Sequence, residues 1–531
     1  SSGFRSKSFN SQWETKTNGY SKAITVADLN GDGKVEIISA YYDTQEIQIL
    51  SNKSSIDSIK IDTIIRYGAG TAPSDVKTGD LDGDGLLDIV ISDEKDNNLT
   101  IYKNTSSGSS VNLATKQILS LNTGTLSFCI ADINLDGRPD IIGISSSGFV
   151  YIYKNISLNG NIQFSQETGL NPPGGGFLSF VAAADIDGDG KAEIAAINRV
   201  NYNITIWKNS STINSINFTT TTVQPLPGRP GTLALGDING DNLIDFVISN
   251  TDNNNVMVIR NKSVVGTIAV ESNSSQFAAS RFPETVLIQD FDGDGKADIA
   301  VANLNASSFS VLKNLQNTGD SISFAARVDY MLTNAPGDGI RYITTSDVNN
   351  DGFPDIIASY SFNNKLCIFR NSLLQPIIQS LTPSLAKVGS ALNIKGKNFI
   401  QGTEVSINSK KILNSSIISD SLITGTLPSS FSGYMIAKNT YGEDSAVFNY
   451  VIPSIDSISP KKGKPGIAIT IYGKNFDSIA PKTIFFGAVQ AKVQGATSNR
   501  ITAVAPAAAT YENITLTENG TTIYSNIPFI S

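Results

Sequence analysis

The chain has 531 residues, a formal net charge of -8 and no histidine. The lack of imidazole excludes His-ligated zinc, Ser-His-Asp triads and Cys-His dyads, and the 40 basic residues are too scattered to line a nucleic-acid groove. No apolar run reaches the ~18 residues of a membrane span, and the opening SSGFRSKSFN lacks a signal-peptide core, which is compatible with a processed chain.

In chain order, a polar segment SKSFNSQWET (6–15) precedes the first of seven copies of a nine-residue acidic phrase. The copies begin at Asp28, Asp80, Asp132, Asp185, Asp237, Asp290 and Asp347, at steps of 52, 52, 53, 52, 53 and 57 residues. They read DLNGDGKVE, DLDGDGLLD, DINLDGRPD, DIDGDGKAE, DINGDNLID, DFDGDGKAD and DVNNDGFPD. The phrases hold 24 of the 48 acidic residues, so the negative charge is stored ligand charge; seven divalent ions would turn -8 into +6.

Within the first period, strand signals fall at AITVAD (23–28), VEIISAY (35–41), EIQIL (46–50) and IDTIIRY (61–67). Four strands in about 50 residues without helical periodicity predict a propeller blade. The fold class is therefore all-β, a seven-bladed β-propeller. The third strands align, from Ile101-Tyr102-Lys103-Asn104 to Ile368-Phe369-Arg370-Asn371, and Asn52 fits the same register. The recurring Asn is expected to close the following turn with its amide, and the basic residue before it to form a solvated edge. The last repeat lacks a fourth strand, so the 6–15 segment is expected to complete its blade and remove two free edges. Cys129 and Cys367 fall in the third and seventh repeats, too far apart for a disulfide, and are expected to be buried thiols.

Positions 1, 3, 5 and 9 of each phrase offer side-chain oxygens, and position 7 a backbone carbonyl. The candidate metal ligands are Asp28, Asn30, Asp32, Lys34 and Glu36; Asp80, Asp82, Asp84, Leu86 and Asp88; Asp132, Asn134, Asp136, Arg138 and Asp140; Asp185, Asp187, Asp189, Lys191 and Glu193; Asp237, Asn239, Asp241, Leu243 and Asp245; Asp290, Asp292, Asp294, Lys296 and Asp298; Asp347, Asn349, Asp351, Phe353 and Asp355. Such all-oxygen sets suit Ca2+, up to seven ions at one per blade, better than Mg2+ or a transition metal. Position 6 must turn sharply and is Gly in six copies, with Asn242 in the fifth. This is no EF-hand, because position 12 is Ser39, Ile91, Gly143, Ala196, Ile248, Val301 or Ala358 where a bidentate Glu is needed. One such phrase would be an ordinary turn; seven in constant register are not. The ions are expected to rigidify hairpins, since carboxylates crowded in one loop repel without a cation.

These phrases, above all DFDGDGKAD (290–298) followed by IAVAN and then FSVLKN (309–314), resemble FG-GAP or VCBS repeats. That family supplies the calcium-loop blades of integrin α-subunit propellers and many bacterial surface proteins. The resemblance covers about residues 1–373 and implies calcium at the seven phrases. Nothing matches the integrin ligand-binding apparatus, which needs a partner subunit.

Beyond Asn371 a second repeat begins: PIIQSLTPSLAKVGSALNIKGKNF (376–399) is echoed by PSIDSISPKKGKPGIAITIYGKNF (453–476). Both resemble IPT/TIG immunoglobulin-like modules, as do Phe485-Phe486-Gly487 and ITAVAPAAA (501–509) in the second copy; the first copy departs from the pattern with Ile407-Asn408-Ser409. The expected domains are a propeller over 1–373 and β-sandwiches over 374–452 and 453–531.

Nearly all the conspicuous carboxylate pairs sit in the acidic phrases, so no catalytic residue and no organic cofactor is expected, and the chain is read as a non-enzyme. The expected function is extracellular recognition or adhesion by a secreted or cell-surface, bacterial protein. Its propeller would present loops to a protein or glycan at a cell surface or in the extracellular matrix, with the sandwiches as spacer. The alternative is a glycan-capture module of a polysaccharide-degrading system, with a polysaccharide lyase or glycosidase less favoured. Trp207 aligns with packing positions and Trp13 lies in the closing strand, so both are expected to be core rather than sugar platforms. The irregular loops Thr333–Arg341 and NPPGGGF (171–177) are candidate ligand-contacting segments.

Overall fold

The computed structural model describes residues 4–529 except 5–7, 57, 109, 122, 168, 317–320, 332–338, 361–363, 374, 384, 387–388, 429–432, 440–441, 451, 477, 479–480, 507–511 and 519–520. Among the described residues every regular element is a β-strand. The chain divides into two compact units, Ser1–Leu373 and Leu374–Ser531.

The first unit consists of seven four-stranded antiparallel sheets. The first runs Ser21–Ala27, Glu36–Tyr41, Glu46–Asn52 and Ile61–Gly68 in spatial as in sequence order. Second strands such as Glu36–Tyr41, Asp140–Ser145 and Asp355–Tyr360 are buried at every position. A sheet covered on both faces needs apolar side chains pointing both ways, which is why these strands read as near-continuous Ile/Val/Ala runs. The first strands pack side by side, in the order Ser21–Ala27, Pro73–Gly79, Thr125–Ala131, Leu178–Ala184, Pro230–Gly236, Pro283–Gln289 and Ile340–Ser346, and the last packs back on the first. The seven sheets thus form a closed ring.

The seventh sheet is composite. Phe9–Lys16 lies antiparallel to Lys365–Asn371, with Phe9 opposite Asn371. Phe9 anchors this strand in the neighbouring sheet's core, its ring 5.0 Å from Tyr330, 5.6 Å from Phe309 and 5.7 Å from Phe291. Trp207 is 1% exposed within the core of the third and fourth sheets, and Trp13 packs partly buried against Ile357 and its neighbours.

Both cysteines are free; Cys367 is buried, with Sγ 3.1 Å from Ser11 Oγ, whereas Cys129 is only half-buried. The expectation of two unpaired buried thiols holds for Cys367; Cys129, on an innermost strand, is partly exposed as a residue while its sulfur is packed away from water. Burial pushes the Cys367 thiol up to about 11 and that of Cys129 to about 12.

In the second unit, residues 376–450 form two sheets around Leu392, Ile394, Phe399, Ile407, Met435 and Phe448. Residues from Ser454 to Phe529 form one seven-stranded sheet wrapped on Ile471, Phe476, Phe486, Ile501, Leu516 and Phe529. Where the second copy turns at Gly487 with φ of 60°, the first turns at Asn408 and Ser409 with φ of 46° and 64°. Asn tolerates the left-handed region, so the departure in sequence keeps the turn.

Candidate metal centres

Each acidic phrase joins the first strand of a sheet to the second, so all seven lie at the same end of their sheets. The loops share one internal bonding plan. The position-1 carboxylate accepts the position-6 N–H at 2.7–2.9 Å in all seven. The position-5 carboxylate accepts the position-7 N–H at 2.9–3.1 Å, which fixes Lys34, Leu86, Arg138, Lys191, Leu243, Lys296 and Phe353 in the loop. Position 6 has positive φ in each, Asn242 included at 65°. Position 4 is left-handed too, which sequence reasoning missed: it is Gly in five loops, Asn350 in the seventh at 57° and Leu135 in the third at 59°.

The position-9 acids Glu36, Asp88, Asp140, Glu193, Asp245, Asp298 and Asp355 are all 0% exposed. One oxygen accepts the position-2 N–H of the same loop at 2.9–3.2 Å. In six sheets the other accepts the N–H of the recurring third-strand Asn at 2.7–3.3 Å. Burial, opposed by these N–H donors and reinforced by the neighbouring Asp charges, raises their proton affinity. Asp88, Asp140 and Asp245 are pushed up to about 6, Glu36, Glu193 and Asp298 to about 7, and Asp355 to about 8.

The recurring Asn does more than close its turn. Its Oδ1 accepts the N–H two residues on, as expected, at 2.9 Å for Asn104 and 2.8 Å for Asn155. Its Nδ2 crosses to the neighbouring sheet and donates to the position-2 carbonyl of that sheet's acidic loop. The pairs are Asn104 to Leu29, Asn155 to Leu81, Asn209 to Ile133, Asn261 to Ile186, Asn314 to Ile238, Asn371 to Phe291 and, closing the ring, Asn52 to Val348, all at 2.7–2.8 Å. The basic residue before the Asn is not a solvated edge either. Lys103, Lys208 and Lys313 reach into their own loops and pair with the carboxylates of positions 3 and 5, and Arg370 pairs with the position-5 carboxylate of Asp351.

Carboxylate oxygens meet within 4.8 Å in three loops: Asp80, Asp82 and Asp88; Asp185, Asp187 and Glu193; Asp290, Asp292 and Asp294. In the other four loops position 3 is Asn, whose amide oxygen takes the corresponding place in the phrase. The donor set fits a hard cation, because every side-chain donor is oxygen. Three buried oxygens on these side chains, Asp185 Oδ1, Asp292 Oδ1 and Asn349 Oδ1, have no hydrogen-bond partner. A buried lone pair without a donor is costly, and a cation would satisfy it.

At the opposite end, Arg341 of the seventh sheet donates to Tyr20 Oη of the first at 2.5 Å and lies 3.8 Å from Glu284 of the sixth. Glu284 is in turn 3.9 Å from Arg199 of the fourth sheet. Of the two irregular loops read from sequence, 171–177 lies on this end, within the connection between Phe164–Gln166 and Leu178–Ala184. Most of Thr333–Arg341 lies outside the described residues.

Ring closure and repeated loops define a β-propeller assembled from sequence repeats. The profile of the FG-GAP-like repeat matches residues 28–91, 80–143, 132–196, 185–248, 237–301 and 290–358, each match running from one acidic phrase into the next. The IPT/TIG domain profile matches 376–450 and 453–530. The chain belongs to the FG-GAP-like repeat family and carries two IPT/TIG domains after its repeats. No curated protein sequence matches it. Among solved structures it is similar to BBS1N in complex with ARL6DN (12% identity, TM-score 0.45, covering 69% of this chain and 97% of that one). It is also similar to a Lactobacillus plantarum protein (14%, 0.43, 60% and 86%) and to a chain of Polycomb Repressive Complex 2 from Chaetomium thermophilum (10%, 0.49, 68% and 98%).

Proposed function

We propose that the first unit is a seven-bladed propeller in which each acidic loop holds one Ca2+, and that it serves as an extracellular recognition or adhesion module spaced by its two IPT/TIG domains. The observation that carries this is the oxygen set, buried at position 9 in every loop and repeated seven times in one register, with unpartnered Asp185, Asp292 and Asn349 oxygens in it. Positions 1, 3, 5 and 9 would hold the ion, which supplies positive charge to a loop rich in carboxylates. The chain's own groups do the rest: the position-6 and position-7 N–H groups orient the carboxylates, and the Asn bridges tie each loop to the next blade.

Because the ion-holding end repeats one sequence, the variable opposite end is the one we assign to the ligand. Its connections differ in length, that over 167–177 being far longer than that over 69–72, and polar groups of four sheets meet there, the charged Arg341, Glu284 and Arg199 and the Tyr20 hydroxyl. Rigid scaffolds with varied loops are the usual bearers of recognition. No catalytic role is assigned. A glycan array and a cell-binding assay, each run with calcium and with chelator, separate the possibilities. Calcium-dependent cell or protein binding with a blank array supports adhesion, specific sugar binding supports glycan capture, and depolymerisation of a polysaccharide contradicts both.

A further inference from the structure

Position 3 alternates around the repeats: Asn30, Asp82, Asn134, Asp187, Asn239, Asp292 and Asn349. The partner of the neighbouring position-5 carboxylate changes with it. In the loops beginning at 132, 237 and 347, the position-3 amide donates to the outer oxygen of Asp136, Asp241 and Asp351 at 3.1, 2.8 and 3.0 Å. An Asp at position 3 has no such N–H. In the loops beginning at 80, 185 and 290 the third-strand lysine takes over. Lys103, Lys208 and Lys313 donate to Oδ2 of Asp82, Asp187 and Asp292 and stand 3.1, 3.6 and 2.8 Å from Oδ2 of Asp84, Asp189 and Asp294. In the Asn loops the same basic position is mostly less engaged with the loop. The first loop has Ser51 there, Lys154 is 3.9 Å from Asp136, and Arg260 pairs with Glu271 at 2.8 Å; Arg370 stays close to Asp351 at 3.1 Å.

The lysines touch only the outer oxygens. Asp292, its side chain 3% exposed, keeps Oδ1 without a partner. Two of the ammoniums are also held from the next sheet, Lys103 by the Gly160 carbonyl at 3.0 Å and Lys208 by that of Gly266 at 2.5 Å. We propose that Lys103, Lys208 and Lys313 are built-in counter-cations that allow alternate loops to carry a fourth carboxylate, and that each sets the calcium affinity of its loop; this rests on the calcium reading above. The fourth carboxylate raises the ligand charge that draws the ion in. The fixed ammonium offsets part of that charge, so it stabilises the loop without the ion and moderates the grip on the ion.

The test uses the full chain and the variants Lys313→Met, Asp292→Asn, their double, and Lys154→Met as the Asn-loop comparison. Melting in chelator reads the counter-cation role. Hydrogen exchange of the peptide spanning 290–298, followed as calcium is added, reads the affinity of that loop alone. We expect Lys313→Met to lower the chelator melting temperature by about 2 °C and to tighten the calcium midpoint of its loop by about tenfold. The double variant should recover towards wild type in both, and Lys154→Met should move its own loop by less than about twofold. Unchanged chelator melting and an unchanged or weakened midpoint in Lys313→Met would overturn the proposal, as would a double variant whose losses simply add. If the wild-type peptide gains no protection with calcium, the calcium reading itself fails, and the melting series in chelator then decides the counter-cation role.

Discussion

At the scale of single residues, the repeat assigns each side chain a job that its neighbours in other sheets confirm by performing it too. Leu135 is the exception: it sits at φ of 59° where five loops place Gly, and its side chain is 54% exposed. A left-handed backbone is strained for Leu and natural for Asn. Leu135→Asn should therefore stabilise the protein by about 0.5–1 kcal/mol, seen as a rise in denaturation midpoint at unchanged m-value. Asn209 makes the opposite case. It is 1% exposed and bonds the Ile133 and Ala192 carbonyls at 2.8 and 2.9 Å and the Ser211 N–H at 2.8 Å. Asn209→Ala strands all three groups and should cost roughly 3 kcal/mol in chemical denaturation. A loss no greater than that of an exposed Asn would show that the bridge between sheets is idle.

At the scale of the element, the loop's chemistry was legible because it is local. Position 6 reads as a turn from Gly or Asn, and five oxygen positions fall within nine residues. What stayed hidden is what the loop shares with distant chain. The Asn104–Leu29 bridge spans 75 residues, and the Lys103–Asp82 pair joins a strand to a loop 21 residues earlier. Neither distance is one that periodicity reports. The third-strand Asn and Lys are visible as a pattern, but their partners are visible only in the folded ring. The position-9 acids give this element a pH dependence whose sign follows from linkage. Buried without an ion, they bind protons more tightly folded than unfolded, from about 6 for Asp88 to about 8 for Asp355. The folded state then holds more protons than the unfolded one, and stability falls as pH rises from about 4 through about 8. In chelator the melting temperature should drop across that window. Calcium bound as proposed would compete with protons for the same oxygens, so the drop should then vanish or reverse; a chelator profile that stays flat across the window would contradict the burial argument.

At the scale of the whole molecule, the count of strands foretold a ring whose two ends must meet, and the period alone supplied the sheets. Closure rests on two separate ties, the Phe9–Lys16 strand against Lys365–Asn371 and the Asn52 bridge to Val348. Removing residues 1–16 would expose the Lys365–Asn371 edge and uncover Phe309 and Tyr330 beneath Phe9. The truncated chain should melt earlier and self-associate through the open edge, as size-exclusion chromatography would report. Calcium held as proposed would link all the loops to one stability, since an ion bound by the folded ring alone shifts unfolding by mass action. The decisive measurement is native mass spectrometry of the calcium-equilibrated chain beside a chelator-stripped sample. We expect seven calcium ions per chain and a lower melting temperature once they are removed. A chain that retains no calcium, or one whose melting is the same with and without it, would contradict the assignment of the acidic loops as ion sites.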